Sequence, residues 1–282
     1  MSVLNLSGLT LAGDSIAGVG TAVAVKQLKL CFDLGVLRPE VLSCNNVFVS
    51  HAHADHVGEV FNYLAVRALE HRTAASLFVP HSAGQALREL LRTFAAFAGS
   101  TFEYRVFDLH EGAAVPLKNG ITVTPFATDH VIQTFGFLVE ESVTKLRPEC
   151  ADLPQKQIAA ARREGRSDVF YTEVRPILAY VPDTLPSVLD RLPDNAWKAR
   201  ILMIESSFLD DRKPLAKIRL GNHVRVDDVA QRVHRFQGEN IVLFHFSRMY
   251  GRDEIPDLVA AAFPEPFKHR VHCFLPSEGF PL

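Results

Sequence analysis

The chain has 282 residues, 48% hydrophobic and 22% charged, with a formal net charge of −2. That length suits one large α/β domain or two small ones, and the composition is that of a soluble globular protein rather than a disordered or fibrous one. The near-neutral charge argues against a generally basic nucleic-acid binder and leaves room for a local basic patch. Residues 1–20 carry no Lys or Arg and hold Asp14, so they fit neither a secretory signal nor a transit peptide. No run approaches the ~18 apolar residues of a membrane span. Cys31, Cys44, Cys150 and Cys273 are scattered, without C-x-x-C, which suits free thiols in a reducing compartment. The expectation is an intracellular protein, cytoplasmic or nuclear, with no membrane partner.

Residues 9–11 and 21–25 carry β-formers around a turn-rich joint at 17–20. Residues 29–35 read as a strand ending at Asp33, with Gly35 beyond. Residues 46–50 read as a buried strand that stops at His51. Within six residues then stand His51, His53, Asp55 and His56. In an extended segment residues i and i+2 point the same way, so His51 and His53 can grip one metal ion. If the chain turns helical near Asp55, that carboxylate and His56 face another side and can hold a second ion. Imidazole with carboxylate is the ligand set of catalytic zinc. Two ions about 3.5–4 Å apart are a recurring device for hydrolysing phosphoesters. Four liganding residues crowded at a strand end are hard to explain by packing.

Residues 57–69 look helical, and 76–79 form a strand closed by Pro80. Leu87, Leu90, Leu91, Phe94 and Ala98 make the stripe of an amphipathic helix, expected in the core. Strands follow at 104–107 and 121–125, after which comes His130, with Gly136-Phe137 beyond it. In residues 141–175, Lys145, Arg147, Lys156, Arg162, Arg163 and Arg166 outnumber Glu149, Asp152 and Glu164. This stretch, with a short helix at 157–163, reads as an insertion. It is either a solvated surface helix or a basic handle for a phosphate backbone. Strands at 177–181 and 201–204 lead to Asp183-Thr184 and Glu205. His223 precedes a helix at 227–236. A strand at 240–244 runs into His245-Phe246-Ser247-Arg248-Met249-Tyr250. A helix at 253–263 and a strand at 269–274 close the chain. His71, His81, His110, His234, His269 and His272 match no motif and read as ordinary residues.

His51-Ala-His-Ala-Asp-His56 resembles the H-x-H-x-D-H signature of the metallo-β-lactamase superfamily, and Asp33 with Gly35 resembles its D-x-G. His130 followed by Gly136-Phe137 resembles the H-x5-G-[FY] of ribonuclease Z, the tRNA 3′-processing endonuclease. Tyr180 to Thr184 is similar to that family's Y-x-G-D-T, with Pro182 for Gly. Glu205 lies in a version of H-E-A-T-F, with Ile204 before it and Ser206-Ser207 after it. His223 matches the His of H-S-T, and His245 to Tyr250 resembles H-[IF]-S-x-R-Y, with Met249 for Arg. These matches run in the family's order over most of the chain and mark a divergent member.

The resemblance implies a single α/β domain over residues 1–282, a four-layer αββα metallo-β-lactamase sandwich of two mixed sheets flanked by helices. It implies two zinc ions, with manganese or iron as possible replacements: His51, His53 and His130 on one, Asp55, His56 and His245 on the other, Asp183 bridging. A hydroxide held between the ions would attack, with Asp55 orienting it. His223, held by Glu205, would protonate the leaving oxygen. Precursor tRNA is the implied substrate, a homodimer the implied assembly, and an arm within 141–175 the implied tRNA grip. The alternatives are a hydrolase of a small phosphodiester or ester on the same fold, and a non-catalytic RNA-binding scaffold.

Overall fold

The computed structural model describes residues 2–279. Seven strands form the first sheet in chain order: β1 (Ser2–Leu6), β2 (Leu9–Ile16), β3 (Gly20–Val25), β4 (Leu30–Phe32), β5 (Asn46–Phe48), β6 (Ala75–Pro80) and β7 (Tyr104–Leu109). Seven more form the second: β8 (Val115–Pro116), β9 (Ile121–Thr128), β10 (Thr134–Leu146), β11 (Phe170–Val181), β12 (Ile201–Glu205), β13 (Asn240–Phe244) and β14 (Val271–Cys273). Each sheet is antiparallel through its first four strands and parallel from the fourth onward.

Alternation along the strands builds the layers. Phe32, Phe48, Phe137, Tyr180 and Phe244 point between the sheets, where Phe32 stacks on Tyr180 with centroids 4.6 Å apart. Val47, Val49, Leu77 and Val79 point the other way, onto helices Val60–Leu69 and His81–Ala98. On the outer face of the second sheet, Leu202, Ile204, Ile241 and Leu243 meet Trp197, Ile218, Val229 and Val259. This is the expected αββα sandwich. Among the described residues no helix is long and apolar enough to cross a membrane.

Several expectations change in detail. The helix expected at 57–69 is two, Ala54–Val57 and Val60–Leu69, so helical backbone starts beneath Asp55 itself. The one expected at 227–236 is a short helix, Val226–Ala230, followed by a separate turn at Val233–Arg235. In helix His81–Ala98, Leu87 and Leu91 are buried, but Leu90 is 56% exposed and Ala98 lies in solvent. Phe94, further along, packs on Phe61 and Phe102 with centroids 4.6 and 5.8 Å away, so the covered strip runs through Leu87, Leu91 and Phe94, with Leu90 at its flank and Ala98 beyond it. Residues 141–175 are the outer halves of two core strands plus a helical cap. β10 last pairs with β9 at Glu141, and β11 first pairs with β12 at Leu178. Between these limits the two strands pair only with each other, down to Leu146 opposite Phe170. This ribbon carries helix Gln155–Arg163 at its tip and a small core of Ala161, Val169 and Phe170.

Candidate metal centre

Parallel strands share one carboxyl-terminal edge, and the predicted residues collect there. Asp33 follows β4, His51 follows β5, Asp183 follows β11, Glu205 ends β12 and His245 follows β13. His130 sits in the turn between β9 and β10. His53 caps the short helix that carries Asp55 and His56. Asp33 and His245 have φ of +60° and +63°, left-handed values for non-glycine residues. Such backbone costs about 1–3 kcal/mol each and persists only where the surroundings hold it. Here the His245 N–H donates to Ser15 Oγ at 3.1 Å, and the Leu34 N–H to the His56 carbonyl at 2.6 Å. Gly35 is required at its position: a Cβ there would lie 1.8 Å from the Asp55 carbonyl oxygen.

Four sets of side chains bring their ligand atoms within 4.8 Å of one another: His51, His53 and His130; Asp55, His56 and His245; His51, His56 and Asp183; and Asp183, His223 and His245. His51 Nε2 lies 3.0 Å from His53 Nδ1, which lies 3.2 Å from His130 Nε2. His56 Nδ1 donates to Asp33 Oδ2 at 2.9 Å, and His245 Nδ1 is 3.0 Å from Ser207 Oγ. With both Nδ1 atoms so engaged, the two Nε2 lone pairs face each other at 3.2 Å. Two such lone pairs repel unless a proton or a metal cation lies between them. Two nitrogens on one tetrahedral zinc would stand about 3.3 Å apart. Asp183 Oδ1 is buried and accepts no hydrogen bond among the described residues, although His245 Nδ1 is 3.3 Å and His56 Nε2 3.5 Å away. A buried acceptor without a donor amid imidazoles suits a divalent cation. The donor set therefore fits a metal.

Electrostatics agree. Burial, reinforced by His56, pushes His51 down to about 2, so this ring is neutral and free to ligate. Burial also lowers His130. Burial opposes charge on His56 as well, but Asp183 and Asp33 outweigh it and raise its pKa well above the ordinary value. Burial would raise Asp183, yet His245 and His56 hold it well below the carboxylate range. Without metal the site thus keeps a proton between its carboxylates, and metal entry must displace it.

The model of the β-lactamase superfamily domain matches residues 24–246. The chain belongs to this superfamily. Along its length it is similar to tRNase Z TRZ1 of Arabidopsis thaliana, 29% identical over 278 residues and 98% of each chain. It is also 29% identical over 257 residues to the chloroplastic tRNase Z TRZ2 of the same plant, covering 91% of this chain and 72% of the relative. Within the superfamily it is a ribonuclease Z-like member. Solved structures agree on the fold. Human tRNase Z short form (ELAC1) superposes with a TM-score of 0.58 at 16% identity, over 94% of this chain and 95% of that one. The metallo-β-lactamase fold protein YhfI of Bacillus subtilis gives 0.62 at 11%, over 94% of both.

In this superfamily member Glu205 and His223 meet at the rim of the ligand cluster. His223 Nδ1 lies 3.2 Å from Glu205 Oε1 and 4.0 Å from Asp183 Oδ2. Burial works against a charged ring, but Glu205 outweighs it and pushes His223 up to about 9. A nearby bound cation would oppose that rise. His223 follows no strand; Asn222, at φ +56°, turns the chain out of helix Leu215–Leu220. Glu205 organises three loops, accepting from the backbone N–H of Thr184, Ser207 and Val224.

Several supporting residues escaped the sequence reading. Tyr180 OH donates to Asp33 Oδ2 at 2.7 Å, Gly18 N–H donates to Asp55 Oδ2 at 2.8 Å, and Ser50 Oγ lies 2.9 Å from His51 Nδ1. Ser207 donates to Glu205 Oε2 and touches His245, and Ser15 holds the His245 backbone. A small hydroxyl residue at the end of an apolar run was the available signal at Ser50, and a polar pair with Asp14 near the end of its strand was the one at Ser15. Nothing local to Gly18 marked its partner 37 residues away.

Proposed function

We propose that the protein is a zinc-dependent phosphodiesterase that cleaves 3′-extended precursor tRNA. The observation that carries this reading is the end-to-end match to a tRNase Z, 98% of each chain, together with a site whose donors suit two ions. His51, His53 and His130 would hold one ion and Asp55, His56 and His245 the other, with Asp183 between them. Bound zinc supplies Lewis acidity and a nucleophile at neutral pH; manganese or iron could occupy the same donors. Asp55, fixed by the Gly18 N–H, orients the attacking water and takes its proton. His223 donates a proton to the leaving 3′ oxygen, and Glu205 holds the ring at Nδ1 so that Nε2 is the atom presented. The P–O3′ bond breaks, leaving a 3′-hydroxyl on the tRNA and a 5′-phosphate on the trailer.

We read the chain as one domain with an arm. Thr144, Arg147, Arg162, Arg166 and Tyr171 line a recess on that arm, a basic handle for the RNA backbone. A homodimer is supported by exposed large apolar side chains on two outer helices, Leu69 on one and Leu90 and Phe97 on the other, Phe97 being 88% exposed. Phe97→Glu should convert a dimer to a monomer in sedimentation; a monomeric unmutated protein would remove the dimer.

The test of function is cleavage of a 3′-extended precursor tRNA by zinc-loaded protein beside Asp55→Ala. Cleavage next to the discriminator nucleotide, lost in the variant, supports the reading. Hydrolysis of a small chromogenic diester with the tRNA untouched would point to a small-substrate hydrolase. Near-zero zinc in protein purified without chelator would point to a non-catalytic RNA-binding scaffold.

A further inference from the structure

A short pattern recurs on three adjacent parallel strands: Phe48-Val-Ser-His51, Phe78-Val-Pro-His81 and Phe107-Asp-Leu-His110. The register places Phe48 beside Phe78 and Phe78 beside Phe107, and their rings stack with centroids 4.4 and 4.9 Å apart. Three residues further, each strand delivers a histidine to the same edge of the sheet. The first is the candidate ligand His51. The other two are exposed and stack on each other, with centroids 4.7 Å apart and planes 18° from parallel. At a strand spacing of about 4.8 Å, their backbones lie roughly 5 and 10 Å from that of His51 along the edge. β7 is the last strand of its sheet, so nothing in the sheet lies beyond His110.

One ring of the pair is locked in place. Gln133 Oε1 accepts the Ser82 N–H at 3.1 Å, so its amide nitrogen is the group that faces His81 Nδ1, also at 3.1 Å. An amide nitrogen can only donate, hence His81 Nδ1 accepts and its proton sits on Nε2. Gln133 lies three residues beyond His130, so the loop that carries a candidate metal ligand also sets the ring. Val131 and Ile132 in that loop are exposed. The result is a stacked pair of flat rings, one of them held by the Gln133 amide, next to the loop that carries exposed Val131 and Ile132 as well as His130.

We propose that His81 and His110 form a stacking platform for one nucleobase of the RNA strand next to the cleaved bond. Flat rings fixed before binding suit a base, because every base has a π-face and stacking asks for no particular sequence. A phosphate would instead be met by converging free cations, whereas Arg88 and Arg191 on this side are ion-paired with Asp108 and Asp129. The platform rests on the RNA reading above and adds to it the place where the strand is held.

The test uses the full-length, zinc-loaded protein, and the scissile 3′ oxygen of the RNA is replaced by a methylene group so that the strand stays intact. Its probe is a 3′-extended precursor tRNA with 2-aminopurine placed in turn at each nucleotide flanking the cut. Stacking quenches this fluorophore, and anisotropy reports binding on the same samples. One flanking position should be quenched by the unmutated protein. His110→Ala should relieve that quench and weaken binding roughly 5- to 150-fold, the range for removing one base stack. His110→Phe should restore both. His81→Ala, which also releases Gln133, should behave as His110→Ala does. Unchanged quench and affinity in both alanine variants overturn the platform, as does a loss that Phe fails to rescue. Failure of the unmutated protein to bind the RNA overturns the tRNA reading itself, and is distinguished by appearing before any substitution.

Discussion

Asp33→Asn tests how the metal centre is held together. The Asp33 carboxylate is fully buried and receives three donors: the Ser50 N–H at 2.7 Å, His56 Nδ1 at 2.9 Å and the Tyr180 hydroxyl at 2.7 Å. Asparagine keeps the volume and one acceptor, which can stay with Ser50. Its NH2 then faces two donors. Tyr180 can rotate its hydroxyl to accept; His56 can relieve the clash only by moving its proton to Nε2, the atom that faces His245. That switch removes the lone pair a metal needs. Loss of such a supporting partner typically lowers metal affinity 10–100-fold, about 1.4–2.7 kcal/mol. Two charge-assisted bonds also disappear, at about 1.5–3 kcal/mol each, so the metal-free fold should be destabilised by about 3 kcal/mol or more. Tyr180→Phe is the control: it removes one donor, costs about 1.5–3 kcal/mol, and leaves His56 its acceptor. Zinc affinity by chelator competition and stability by urea unfolding read the two effects separately. A folded Asp33→Asn protein with unchanged zinc affinity would refute the argument that Asp33 sets the tautomer of His56.

Other outcomes follow from the same geometry. His223→Ala should lower kcat by roughly 10²–10⁴ while zinc content stays unchanged, because the proposed mechanism makes it the proton donor held by Glu205 and not one of the seven proposed ligands; metal analysis beside single-turnover cleavage checks this. Neutralising Arg147, Arg162 and Arg166 together should flatten the salt dependence of RNA binding by ~0.7–0.9 in log–log slope for each phosphate that no longer meets a cation, with hydrolysis of a small diester unaffected. Burial pushes the Cys31 thiol well above its ordinary value, and Cys44 and Cys273 up to about 12. A disulfide reagent at about pH 8 should therefore label Cys150 first in native protein and reach the other three only on unfolding.

Legibility in the sequence followed the range of the interaction. The ligand types were readable because they lie at strand ends, where an apolar run breaks into His, Asp or Glu. His51 to His56 needed only local geometry, since two residues of extended chain and one turn of helix decide which way each side chain faces. Asp183, Glu205 and His245 were found one at a time by the same break in pattern. The long ribbon of β10 and β11 was not legible. Its residues mix charge with β-formers, and only the absence of neighbouring strands on both sides turns them into an arm. The apolar stripe of helix His81–Ala98 misled for a related reason: amphipathic spacing states which face is apolar, not how wide a strip of that face the neighbouring elements cover, and Leu90 falls outside it between buried Leu87 and Leu91.

Sequence by itself carried the fold class, most strands and helices in order, and, through the resemblance of its strand-end motifs to a known family, the candidate ligands, because each rests on residue type and short-range pattern. Tertiary structure decided which candidate ligands come within reach of one another, which nitrogen each imidazole presents, and what holds them. Asp33, Tyr180 and His56 are separated by up to 147 positions yet share one carboxylate. His56 and His245 face each other across 189 positions. His81 and His110, ordinary in the sequence, become a stacked pair only because two parallel strands end in register. Such pairings depend on how two sheets close against each other, and no local pattern carries that information.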